Sequence, residues 1–325
     1  MIAYVIRRVM YAIPILIGVN LITFTLFFVV NPPDNMARLH LGIRHVTDAG
    51  IEKWKSQHGY DKPLIINYEE SGLATLTETV FFHKSVKLFV FDFGVSDNGR
   101  DISYDISQRM WPSLAIAVPS LMIALMVNIS FALLLSFFRG SYIDLWGVVF
   151  CVMMMSISAL FYYIGGQFLI GKFLHLVPIS GYDTGLNATK FLLLPVIIGV
   201  IAGIGALTRW YRTFFLEEIN KDFVRTARAK GLSESVVLFR HVLQNALIPI
   251  LTGIVAALPL LFMGSLILES FFGIPGLGSY TIDAINQQDF AIVRAMVFLG
   301  SVLYIVGLVL TDISYTFVDP RVRLQ

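Results

Sequence analysis

The chain has 325 residues, of which 56% are hydrophobic and 14% charged, with a formal net charge of +2. A soluble domain carries nearer to about a quarter charged residues, and a mean hydropathy of +0.74 belongs to a chain with long apolar runs. This balance excludes an ordinary soluble enzyme and a basic nucleic-acid-binding protein; the single cysteine, Cys151, excludes an internal disulfide and a four-thiolate metal site.

Six apolar runs, 9–30, 113–138, 146–170, 191–207, 247–268 and 291–313, read as membrane spans. At about 1.5 Å rise per residue such runs match a hydrocarbon core of about 30 Å. The fold class expected is an all-α polytopic membrane protein. The first run follows Arg7 and Arg8 as a signal sequence would, but it is too long for a signal core, and no small-residue cleavage pattern precedes Asn31-Pro32-Pro33. It reads as a retained span. Pro14, Pro119, Pro195 and Pro259 lie in or at the ends of spans, where neighbouring helices satisfy the freed carbonyls.

With six spans, Arg7 and Arg8, Arg139, the loop 209–245, and Arg321 and Arg323 share one side, whereas the opposite short loops hold only Lys172 and Lys190. The positive-inside rule then puts both termini in the cytoplasm. Residues 1–30 form the N-terminal tail and first span, 31–112 an extracytoplasmic segment, and 113–325 a five-helix core with a cytoplasmic loop at 209–246. In 31–112 the stretch from Leu73 to Phe91 mixes Leu76, Val80, Phe81, Val86 and Phe89 with polar residues, which predicts amphipathic elements lying on the membrane surface or on the spans. A compact cap without chemistry is the plainer reading of this segment.

Gly166 to Lys172 has the spacing of a phosphate loop, but Phe173 stands where the Mg²⁺-binding hydroxyl belongs, and no strand precedes it. Gly199 and Gly203, followed by Gly205, are spaced for close helix approach, either to a partner or within the chain. The histidines at 40, 45, 58, 83, 175 and 241 show no metal-ligand spacing, and Asn187-Ala-Thr189 is a bare glycosylation sequon. Of the ionisable residues near spans, Arg294 and Asp312 read as snorkelling end positions. Glu269 precedes a turn-rich stretch with Pro275, Gly276 and Gly278, and both a gating and a structural role are open for it. No chain of acids threads the spans, which disfavours a proton pump.

The most organised polar segment is 222–249, DFVRTARAKGLSESVVLFRHVLQNALIP. Asp222 to Lys230 reads as a short helix with its acid first and its base last, matching the helix dipole. Gly231 supplies a left-handed stop, and Ser233 an N-cap for a second helix with an apolar face of Val236, Phe239, Leu243 and Leu247. Upstream, Trp210, Tyr211, Phe214 and Phe215 are expected along the membrane interface. The result is a helical elbow at the membrane base, shaped to lie in a groove of a soluble partner; a plain basic surface loop is the alternative.

This elbow resembles the EAA-type loop of binding-protein-dependent ABC transporter permeases, in particular the dipeptide, oligopeptide and nickel branch. The Glu-Ala-Ala position of the general pattern holds Arg225-Thr226-Ala227 here; its glycine is Gly231, and its Ile-x-Leu-Pro is His241-Val-Leu-Gln244. The Glu and the Pro are both replaced. The remaining resemblance is spread in order along the chain: Ile6-Arg7-Arg8, Asp61-Lys62-Pro63, Phe91-Asp-Phe-Gly94 with Ser96, Arg109-Met-Trp-Pro-Ser-Leu114, Phe271 to Gly278, and Asp319-Pro-Arg321. The stretch from Asp312 to Arg321 is similar to the Yej-like peptide subgroup, while 69–90 is longer than usual.

The resemblance implies the type I ABC importer permease fold in a bacterial inner membrane, and a non-catalytic subunit working by alternating access. It implies a second, homologous permease, two ATP-binding cassette ATPases that carry ATP and Mg, an extracytoplasmic solute-binding protein and surrounding lipid. This chain itself is expected to bind no cofactor. Asp222, Arg225, Thr226, Ala227, Arg228, Lys230 and Gly231 are the coupling candidates. Peptides or peptide-like compounds are the expected cargo, with nickel chelates or oligosaccharides as alternatives. A non-transporting membrane sensor or assembly protein, or a ligand-binding module formed by 31–112, are the rival classes.

Overall fold

A computed structural model describes residues 2–42 and 47–318. His45 and the Asp319, Pro320, Arg321 and Arg323 used above lie outside the described residues. Among the described residues five helices are long and apolar enough to cross a membrane, Ile6–Val30, Ile102–Phe137, Ala188–Ile219, Glu234–Met263 and Phe290–Ser314, and a bent pair gives a sixth crossing if counted as one span. The bent pair, Tyr142–Ser156 and Ala159–Phe173, turns by 86°. The predicted third span is therefore not one straight helix but a sharply bent pair. Ile157 and Ser158 adopt extended backbone at the break, and Ser156 Oγ donates to the Val152 carbonyl, an internal bond that bends helices.

Span ends differ from the sequence reading wherever a helix continues past its apolar run. The second begins at Ile102, not 113, because Asp101 Oδ1 caps the Tyr104 N–H at 2.9 Å. The fifth starts at Glu234 and stops at Met263, where Gly264 takes a positive φ of 66°. Trp210, Tyr211, Phe214 and Phe215 do not turn along the interface; they continue the helix Ala188–Ile219. Tyr211, Phe215 and Ile219 recur at helical spacing and are buried together.

The chain forms two compact units. The first comprises Met1–Arg109 and Tyr280–Val309. Its core packs Phe24 and Phe28 of the first span on Met36, Trp54, Tyr60 and Val80 from the segment that follows. Phe81 meets Phe24 edge-on at 5.0 Å, and Phe89 meets Phe298 at 5.3 Å, so the amphipathic stretch lies on the spans. Leu76 remains exposed.

The second unit is built on Met110–Ser279. Gly205 sits where an added Cβ would lie 2.4 Å from the Cys151 carbonyl oxygen and 2.8 Å from the Met155 nitrogen. Gly199 faces Leu268 in the same unit, and Gly166 faces Ile198. The small-residue seam thus serves packing within this chain, where close backbone approach maximises dispersion contacts that lipid cannot supply. Replacing Gly205 with Val should lower the thermal midpoint of the detergent-solubilised chain strongly. Gly203→Ala, whose Cβ meets only the Leu207 side chain at 3.4 Å, should stay near wild type. Equal midpoints for the two variants would contradict this packing.

Candidate functional site

The elbow forms as the helix Asp222–Ala229, with Lys230 as C-cap and Gly231 at φ 79°. The Gly231 N–H donates to the Arg228 carbonyl and the Leu232 N–H to that of Ala227, the paired closure of a helix ended by a left-handed residue. Thr226 Oγ1 donates to the Asp222 carbonyl, and Arg225 lies 3.4 Å from the Asp222 carboxylate with both side chains exposed. Ala227 and Val224 point the other way and are buried with Phe215, Ile219, Val237, Leu238 and Val242. One face of the elbow is thereby clamped to two long helices, and the other is polar and free of that core.

Arg228 closes the elbow by a two-pronged pair with Glu234 across Gly231. That pair holds the Arg228 guanidinium above its usual range, the side-chain hydrogen bond being the largest cause. Ser233 occupies the N-cap position with extended backbone, but its hydroxyl makes no capping bond. The second helix also shows a different face from the one predicted. Val237, Leu238, Val242, Ala246 and Ile250 are buried, whereas Val236 and Phe239 are exposed and Leu243 and Leu247 half-buried. A π-helical turn at Val237–Val242 widens the repeat and rotates the buried face away from the 3.6-residue pattern.

The second candidate is Glu269, 1% exposed in the short helix Leu266–Phe272. Its Oε1 accepts from the Ser265 N–H and its Oε2 from the Ser279 N–H, each at 3.1 Å. Ser113 Oγ accepts from the Leu277 N–H at 2.8 Å beside it. Burial raises the carboxyl's pKa, and hydrogen bonds from Ser113 and the backbone oppose that. Gly264 and Gly276 leave room for it: a Cβ at either would fall 1.9 Å from Oε1 or 2.3 Å from Oε2. A Cβ at Gly278 would fall 2.6 Å from the Ser265 carbonyl. Pro275 is exposed at the tip, where the Gly276 N–H donates back to the Ile274 carbonyl. The residues singled out as Glu269, Pro275, Gly276 and Gly278 are thus brought together in one knot, and they are far apart in role from the elbow set.

Glu269, Ser113 and Ser120 supply polar groups to a cavity of about 350 Å³ in the same unit, otherwise lined by residues such as Ile116, Tyr163 and Leu260. Ser120 Oγ is buried without a hydrogen-bond partner. Sequence reading did not find the other polar contacts of this unit. Thr208 Oγ1 donates to Asn128 Oδ1 at 2.9 Å, and Arg212 Nη2 to both oxygens of Asp144 at 2.8 and 2.9 Å. Each partner lies in or beside an apolar run, and polar residues there are the available signal.

In the first unit, Arg294 does not snorkel. It is 3% exposed, with its guanidinium over the Phe28 ring at 4.9 Å. The fold also gathers His40 and His58 around Asp97, at 2.9 and 3.8 Å, with Trp54 stacked on His58. Among the described residues no group of three or more His, Cys, Asp or Glu is placed to hold a metal ion.

Gly276→Ala forces its Cβ into the Glu269 carboxylate, and Glu269→Gln turns an acceptor into a donor facing backbone N–H groups. An unsatisfied buried group of this kind costs about 1–3 kcal/mol, so both variants should unfold at lower temperature than wild type by fluorescence-detected melting. A wild-type midpoint for both would show that the knot does not hold this segment.

The sequence has clear counterparts among known proteins. Residues 128–324 match the family described as binding-protein-dependent transport system inner membrane component, and residues 1–112 match the corresponding N-terminal family. The chain is 32% identical to the oligopeptide transport system permease protein AppB of Bacillus subtilis, over 99% of this chain and 100% of that one. It is 30% identical to the glutathione transport system permease protein GsiC of Pectobacterium atrosepticum, over 100% of both. It is 24% identical to the dipeptide transport system permease protein DppB of Alkalihalophilus pseudofirmus, over 99% and 100%. With its helical, multiply membrane-spanning build, this chain belongs to the inner membrane components of binding-protein-dependent transport systems.

Proposed function

We propose that this chain is a permease subunit of an ATP-driven importer for peptides or peptide-like compounds. The observation that carries the cargo class is the end-to-end match to permeases named for oligopeptide, dipeptide and glutathione transport. In this reading a second, homologous permease completes the channel, and two ATP-binding cassette ATPases beneath it bind ATP and Mg. An extracytoplasmic solute-binding protein delivers the peptide and sets most of the specificity. Both termini and the loop 209–246 face the cytoplasm, with 31–112 on the opposite side.

The elbow is the coupling element. Its exposed face offers Asp222, Arg225, Thr226 and Lys230 to a groove of the ATPase, while Val224 and Ala227 are locked into the core shared by helices Ala188–Ile219 and Glu234–Met263. A displacement of the elbow therefore reaches both helices through side-chain packing, because close-packed interiors transmit strain instead of absorbing it. Closure of the ATPase dimer on ATP moves the elbow and opens the spans outward; hydrolysis reverses the motion. The knot at Glu269 acts as the fixed point on which the segment Gly264–Ser279 turns.

Two experiments test this reading. Purified gently with the products of its neighbouring genes, the chain should carry a second permease and two ATPases; a lone chain or homo-oligomer would favour a sensor. In the assembled transporter, Gly231→Val places a β-branched residue at φ 79° with open space around its Cβ. The left-handed conformation then costs about 1–2 kcal/mol, and ATP hydrolysis stimulated by peptide-loaded binding protein should fall while membrane insertion is retained. Stimulation at the wild-type level in a fully assembled Gly231→Val complex would remove the elbow from the coupling path.

A further inference from the structure

The first unit holds a second cavity, of about 300 Å³, whose charged lining is Lys62, His83, Lys84, Lys87, Asp92 and Arg294. Four of these are lysine or arginine side chains and one is a carboxylate. Two of the cations are already engaged. Lys62 pairs with Glu78 and approaches His83 Nε2 at 3.0 Å, and Lys87 lies 3.8 Å from Asp92.

Lys84 and Arg294 are different. The Lys84 ammonium lies over the Tyr60 ring at 5.0 Å. Burial, and next the Arg294 charge, push it down to about 8. Arg294 is buried, and its Nε and Nη1 donate to no partner. Asp97 and Asp289 are committed elsewhere. Asp97 holds His40, and Asp289 accepts from the Asp97 and Ile292 N–H groups, the latter as cap of the final helix.

A buried guanidinium with unfilled donors is expensive in a low dielectric, and its fork of N–H groups matches a planar or tetrahedral oxyanion. The geometry points to this cavity as a binding site for an oxyanion of the carboxylate or phosphate class, held between the Lys84 ammonium and the Arg294 guanidinium. Two sources fit that chemistry. Arg294 lies in the first turns of the candidate span Phe290–Ser314, and span ends are where lipid headgroups meet protein, while the cavity also has room for a free anion.

The test uses the full-length chain in nanodiscs, with the unfolding midpoint followed by tryptophan fluorescence. In phosphatidylcholine discs, inorganic phosphate and acetate are titrated against chloride at matched ionic strength, which removes simple screening. In parallel, discs of an equal mixture of phosphatidylcholine and phosphatidylglycerol are compared with phosphatidylcholine alone. A midpoint that rises with phosphate or acetate assigns a free-anion site; a rise only with phosphatidylglycerol assigns a lipid phosphate. In either case Lys84→Gln and Arg294→Gln should weaken the response about tenfold or more, the loss expected for one charged hydrogen bond, and Lys84→Arg should retain it. Lys84 is half-buried, so Lys84→Gln keeps the test readable even where Arg294→Gln does not fold. The proposal is overturned if wild type responds to none of the three probes, or if Lys84→Gln responds as wild type does.

Discussion

A buried backbone that leaves the helix has no water to satisfy it, so every such break must be satisfied by the protein itself. The segment from Gly264 to Ser279, which follows the end of a span, is the clearest instance. It departs from the helix Glu234–Met263 at a glycine with positive φ, runs through a seven-residue helix, and turns again at Pro275. The Glu269 carboxylate collects the N–H groups of Ser265 and Ser279, and Ser113 Oγ that of Leu277, which ties the segment to the start of the unit's first helix. A buried carboxylate is unfavourable alone; surrounded by backbone donors it becomes the anchor of an irregular stretch.

The same constraint explains where the side-chain polarity of the second unit went. Asn128 meets Thr208, and Asp144 meets Arg212, so these four polar residues are satisfied as pairs between helices. Between them lie glycines whose missing Cβ atoms let backbones touch, most closely at Gly205 against Cys151. Packing at this distance gives the unit a stiff frame. The elbow is set into that frame by two small or branched residues, Val224 and Ala227, leaving its charges outward. A partner that grips the outward face has a rigid lever to act on.

The first unit solves a different problem. Its aromatic core joins Phe24 and Phe28 to Trp54 and Tyr60, and its charged groups are sorted around that core. Asp97 and Asp289 lie with His40 and His58, while Lys84 and Arg294 line a cavity with Lys62, Lys87 and Asp92. Burial, ahead of the neighbouring charges, raises the Tyr60 phenol. Charges partly shielded from solvent in this way interact more strongly than they would in water.

What the sequence by itself determined is everything written in local pattern. Apolar length specified the spans, Gly231 with the Asp222-to-Lys230 helix specified the elbow, and the ordered motifs specified the family, because each depends on neighbours along the chain. Tertiary structure decided the rest. It chose Val237, Leu238 and Val242 over Val236 and Phe239 as the buried face, since a π-turn shifts the helical repeat without a marker in residue type. It carried Tyr211 and Phe215 into a core instead of the interface, and buried Arg294 against Phe28 instead of letting it snorkel. It also turned Glu269 from an ambiguous acid into an anchor. In each case the deciding partner lies far off in sequence, and only folding sets the distance between them.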